Sequence, residues 1–152
     1  MQWLKELREK GNEAIQGLQT QASKYKNGPF ADATMAICAL MAYADGEVTA
    51  DERQKTVQFI VKSEPLQAFD KTTLSQKFKN YCAELEEEPE FGKLSLIQAV
   101  GKLRNKPDQA AVAMQVGVLI ANADGVFDDK EKVVAREICG ALGLQPDAYV
   151  PQ

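Results

Sequence analysis

The stretch ADGEVTADE at Ala44–Glu52 returns as ADGVFDDKE at Ala123–Glu131, and this return decides how the chain is read. Moving the first half forward by 79 residues sets Met35 on Met114, Leu40 on Leu119 and Ala42 on Ala121. The same shift sets Asp45 on Asp124, Gly46 on Gly125 and Glu52 on Glu131. Between these identities like replaces like: Ile37 by Val116, Met41 by Ile120, Val48 by Phe127, Phe59 by Ile138. Each copy follows an alanine-rich apolar run and precedes a run with helical spacing. The expectation is two copies of one helix-loop-helix unit.

Outward from the loops, every segment reads as helix. Trp3, Leu4, Leu7, Ala14, Ile15, Leu18, Ala22 and Tyr25 recur every three to four residues, an amphipathic leader over 1–27 whose stripe packs on the body of the domain or docks a partner. Asn27-Gly28-Pro29 breaks it. Phe30 to Ala44 is apolar nearly all round and belongs at the centre of a bundle. Val57 to Val61 marks the next helix, ended by Ser63-Glu64-Pro65, with a short turn over Leu66 to Phe69. Asp70 to Thr73 offers caps for a helix through Leu74, Phe78, Tyr81, Cys82 and Leu85, which runs into an acidic cluster from Glu84 to Glu90. That cluster reads as a solvated helix end, although negative charge at a C-terminus is unfavourable. Phe91 to Leu103 is a helix with Leu94, Ile97, Val100 and Leu103 inward. Gln109 to Ala123 and Glu131 to Leu142 follow, with Gly143 placed for a left-handed C-cap. The expected fold is all-α, a compact bundle of about seven to eight helices. It forms one domain: leader 1–27, first repeat 30–64, connecting helices 65–106, second repeat 107–144 and tail 145–152.

Composition narrows the chemistry. The chain of 152 residues has no histidine and a net charge of -4. Lack of imidazole removes the commonest general base and the usual zinc and non-haem iron ligands. Net negative charge argues against a general nucleic-acid surface. Cys38, Cys82 and Cys139 have no CxxC spacing, and in helical patterns they read as buried, reduced thiols. With neither a signal peptide nor an apolar run of spanning length, a cytoplasmic protein without membrane insertion is expected.

The loops carry the functional signal. Gly46 and Gly125 are suited to positive φ, and Thr49-x-x-Glu52 and Asp128-x-x-Glu131 are capping boxes that start the next helix. Capping explains Glu52 and Glu131 well. Asp45 and Asp124 fall in what reads as the last turn of a helix, where an acid costs about 0.5 kcal/mol, although an Asx-turn would justify one of them. A bound cation would justify both. If the units pack about a pseudo-twofold, Asp45, Glu52, Asp124 and Glu131 face one another, with Glu47, Asp51, Asp128 and Asp129 as accessory acids. Oxygen-only ligands favour calcium, magnesium or manganese. Neither loop has the ligand spacing of an EF-hand.

The segments AICALMAYADGEVTADERQK and VGVLIANADGVFDDKEK, in this helix order, resemble the tellurite-resistance TerB family over roughly Phe30 to Leu144. The resemblance implies a bundle of seven or so helices with internal duplication and an acidic face proposed to bind metal. It carries that role to Asp45, Glu52, Asp124 and Glu131. It also implies a cytoplasmic role in chemical-stress response, inside an assembly with other tellurite-resistance proteins, membrane-embedded and calcium-binding members included.

Two non-enzymatic functions are therefore expected to compete. One is a cation-binding module of a stress-response complex, peripheral to the inner face of the membrane through its partners. The other is a protein-binding adaptor whose acidic face meets basic partners without metal. A di-metal enzyme is the weakest reading, because such bundles use Glu-x-x-His pairs and the chain has no histidine.

Overall fold

The computed structural model describes residues 11–123 and 127–151, so Trp3, Leu4 and Leu7 of the leader, and Asp124 and Gly125, fall outside the described residues. The helices are α1 (Asn12–Ser23), α2 (Gly28–Ala42), α3 (Ala50–Lys62), α4 (Lys71–Glu87), α5 (Pro89–Gly101), α6 (Pro107–Ala121) and α7 (Asp129–Leu142). Short 3-10 turns span Glu64–Leu66 and Pro146–Ala148. Among the described residues there is no strand, and no helix is long and apolar enough to cross a membrane. The fold is an all-α bundle.

The hub is α2. Asn27 caps it, its Oδ1 accepting from Phe30 N at 2.8 Å, and Pro29 sits in the first turn where a missing N–H is harmless. Eleven of its fifteen residues are buried, so it has no solvent face and packs on α4, α5, α6 and α7. Adding 79 to the bounds of α2 gives the bounds of α6, and adding 79 to the start of α3 gives the start of α7. Helices α2 and α6 pack closely, and a Cβ on Gly117 would lie 2.4 Å from Ile37 Cγ2. Small residues here let two backbones approach.

The described part of the leader packs inward, as its stripe implies. Leu18 and Ala22 are buried, and α1 rests on the 3-10 turn and on α6. Beyond its end, the Tyr25 ring lies 5.6 Å from that of Phe30, which lies 5.8 Å from that of Phe69. A 3-10 turn at Glu64–Leu66 follows α3, and the expected turn over Leu66 to Phe69 comes straight after it, with Phe69 N donating to Leu66 O at 3.0 Å. Asp70 caps α4, accepting from Thr72 N and Thr73 N, and Gly143 caps α7 at φ 73° with Leu144 N donating to Cys139 O at 2.9 Å.

One expectation about α5 needs correction. Leu94 does not face inward: it is 60% exposed, and Phe91 70%, while Gly92, Leu96, Ala99 and Val100 form the buried face. The reason is steric. A Cβ on Gly92 would lie 2.5 Å from Glu84 O, so α5 presses its glycine against the backbone of α4 and its rotation is set. The acidic run is solvated as expected, with Glu84, Glu86, Glu87, Glu88 and Glu90 all exposed. Glu88 both ends α4 and stands at the N-cap position of α5, without a side-chain cap hydrogen bond. Glu86 is bonded from two sides, as described below.

All three cysteines are free and buried. Burial pushes the Cys38 and Cys82 thiols up to about 12 and Cys139 up to about 11. The thiolate, the reactive form, is then scarce near neutrality. Titrated at pH 8 with an aromatic disulfide reagent, the native chain should react at least about 100-fold more slowly than the denatured chain, which should release three equivalents.

Candidate functional site

Between α2 and α3 the chain turns sharply. Tyr43 caps α2, Gly46 N donates to Tyr43 O at 2.9 Å, and Gly46 takes φ 92°, as its position implied. Asp45 is therefore not in the last helical turn. Helix α2 ends at Ala42, and Asp45 lies in the turn beyond it, exposed, with Oδ1 accepting from Glu47 N at 3.2 Å. This is an Asx-turn, which corrects the reading of Asp45 as an acid misplaced in a helix terminus. An N–H donor already meets part of its charge.

Both capping boxes are formed. Thr49 Oγ1 accepts from Glu52 N at 3.1 Å and Glu52 Oε1 accepts from Thr49 N at 2.9 Å. Asp128 Oδ1 accepts from Glu131 N at 2.8 Å and Glu131 Oε1 accepts from Asp128 N at 3.2 Å. The Thr49 backbone N–H, helped by its hydroxyl, holds the Glu52 carboxyl below the usual carboxylate range. Phe127 is half-buried against the core and fixes the approach to α7.

Because α2 and α6 pack together, the two loop regions share one end of the bundle. Asp45, Glu52, Asp128 and Glu131 line a single pocket of about 260 Å³, above buried Cys38, Met41 and Ile120. Glu47 faces an adjoining hollow with Tyr43, Thr49 and Glu86. Asp51 is exposed and lines none of these hollows. Asp129 points into solvent and pairs loosely with Lys132 at 3.7 Å. Among the described residues, no three acids or cysteines stand close enough together to form a ready metal cage.

Sequence reasoning missed two parts of this region. Lys55 and Thr56 also line the pocket, so a basic residue borders it together with the acids. Lys55 follows Glu52 by three residues, so helical spacing alone places both on one face of α3. The second part is a strap beside the pocket. Tyr43 OH donates to Glu86 Oε1 at 2.5 Å, and Arg53 Nη1 pairs with the same oxygen. Burial, then the bond to Glu86, pushes the Tyr43 phenol well above its ordinary range, while the Tyr43 hydroxyl keeps Glu86 low. At the position 79 residues on from Tyr43, Asn122 instead donates to its own helix, at Val118 O, 3.0 Å away. The strap belongs to the first loop alone among the described residues.

A model of the family described as tellurite resistance protein TerB matches residues 31–151 of this chain. A curated relative, the tellurium resistance protein TerB of Alcaligenes sp, is 32% identical over 101 residues, which cover 66% of this chain and 83% of that protein. No solved structure matches. With four-fifths of the chain inside the family match, and with the two ADG segments inside it, the chain belongs to the tellurite resistance TerB family.

Proposed function

We propose that the protein is a non-enzymatic, cation-binding helical module of a cytoplasmic tellurite-resistance or chemical-stress response. It works beside other tellurite-resistance proteins and reaches the inner face of the membrane through them. The reading rests on one observation above the others: acids from both ADG-containing stretches line the same pocket. Asp45, Glu52 and Glu131, with Asp124 as the fourth, are the proposed ligand set. Their chemistry suits a hard divalent cation such as calcium, magnesium or manganese. The Asx-turn engages Oδ1 of Asp45 and the capping box Oε1 of Glu52, so each carboxylate keeps a second oxygen. The fit is one of donor chemistry and not of a preformed cage, since the described acids are not grouped as one. A cation here would therefore keep part of its water shell, as magnesium commonly does.

Calorimetry with the three cations on the wild type and on Asp45→Asn/Asp124→Asn tests this. Asparagine keeps the side-chain oxygen that accepts from Glu47 N, so the turn survives while the charge is lost. Binding should weaken at least tenfold in the variant. Equal, negligible heats from both proteins would remove the cation reading.

The completeness of the caps supports a second reading, an adaptor whose loop acids serve structure and meet a basic partner without metal. It expects a complex insensitive to chelator and sensitive to charge reversal at the loops. Tellurium oxyanion chemistry fits neither reading. The thiols are buried and protonated, and four of the five charged residues lining the pocket are acids.

A further inference from the structure

We propose that the outward face of α5, centred on Phe91 and Leu94 and rimmed by Glu87, Glu88 and Glu90, docks a basic amphipathic helix of a partner protein. This face is separate from the acidic pocket of the two loops, and the inference does not depend on a cation there.

Phe91 and Leu94 are the two most exposed large apolar side chains among the described residues, at 70% and 60%. Three residues apart on one helix, they are neighbours on its surface. Their exposure is enforced. Gly92 is buried against α4, with no room for a Cβ beside Glu84 O and Leu85 Cα. Turning α5 to bury Phe91 would swing a side chain into that backbone, and it would also withdraw Leu96 and Val100 from the core. An apolar face that the fold cannot withdraw marks an interaction surface more readily than scattered exposed residues do.

Charge selects the occupant. Glu87, Glu88 and Glu90 are exposed and make no ion pair among the described residues, whereas nearby Glu86 is paired with Arg53 and Glu137 with Lys93. Three carboxylates without an ion-pair partner, all within four residues of Phe91, complement a segment carrying Leu or Phe on one stripe and Lys or Arg alongside. A second copy of the chain would bring the same acids against themselves across a twofold axis. An anionic membrane surface would be repelled. A helix laid beside α5 satisfies both parts of the face, since side-by-side helices pack with their axes 8–10 Å apart.

The test uses a labelled 18-residue peptide of leucine and lysine with leucines at i, i+3, i+4 spacing. Its control has the same composition with the leucine spacing shuffled. Fluorescence anisotropy is measured in the presence of chelator. The wild type should bind the patterned peptide at least tenfold more tightly than the shuffled one. Phe91→Ser/Leu94→Ser should erase that preference, and it should melt as the wild type does because both side chains are already in water. Glu87→Gln/Glu88→Gln/Glu90→Gln should weaken binding several-fold and flatten its salt dependence. Asp45→Asn/Glu47→Gln should leave it unchanged. The proposal is overturned if the serine variant retains the preference or if the loop variant alone loses it. It is equally overturned if sedimentation shows a wild-type dimer that the serine variant disperses.

Discussion

Gly92→Ala is expected to destabilise the protein by about 3 kcal/mol, at the upper end for an inserted methyl group. The added Cβ would lie 2.5 Å from Glu84 O, 2.8 Å from Glu84 C and 3.0 Å from Leu85 Cα, all backbone atoms of α4. A side chain can rotate away from an intruding methyl; a helix backbone cannot. α5 would have to lift, and Leu96 and Val100 would leave the core with it. For a chain of this size the melting temperature should fall by roughly 6–12 °C. Gly117→Ala meets the side chain of Ile37 instead, so its effect should be smaller. Gly17, also inside a helix, has nothing within 4 Å of its would-be Cβ. Alanine there should stabilise by about 0.5–1 kcal/mol through helix propensity. Thermal melts of the three variants should therefore differ in sign as well as size. Gly92→Ala and Gly17→Ala moving together would refute the close approach.

Phe30→Ala should destabilise by about 3–5 kcal/mol, the usual loss for a fully buried phenylalanine. Its ring is wholly buried at the start of α2, in contact with Tyr25 just after α1 and Phe69 just after the 3-10 turn. Removing it leaves a cavity where three segments meet. The loss should also be local before it is global. Helix α1 buries only Leu18 and Ala22 and leans on the 3-10 turn that Phe69 follows. Hydrogen exchange should show α1 amides losing protection at denaturant concentrations that leave α2 and α6 protected. Uniform loss across the chain would mean that α1 is held independently of this aromatic cluster.

Residues that act on their own neighbours were legible in the sequence. Thr49, Asp70, Asp128 and Gly143 each perform the capping that their type and spacing announce. The central place of α2 follows from its lack of a polar face. Where the decision came from elsewhere in the fold, the reading failed. GKLSLIQAV on α5 offers little contrast between faces, and contact of Gly92 with α4 chose which one to bury. Among the acids from Glu84 to Glu90 nothing local distinguishes Glu86, which Tyr43 and Arg53 select from other elements. Asp45 was misplaced because α2 stops at Ala42, before the first ADG loop begins. That small difference turned an apparently unfavourable helix terminus into an ordinary Asx-turn. The gathering of Asp45, Glu52 and Glu131 around one pocket had been anticipated from the repeated loops, while Lys55 among them had not.

Glu86 receives Tyr43, two residues before Asp45, and Arg53, one residue after Glu52. The first loop is thus moored at both ends to a single post on α4, like a string tied either side of a bridge. Reshaping it means undoing a bond to an ionised oxygen, so whatever settles beside Asp45 meets a surface already set and not one that moulds itself. On the proposed reading, such stiffness spares a partly hydrated cation the cost of ordering the first loop.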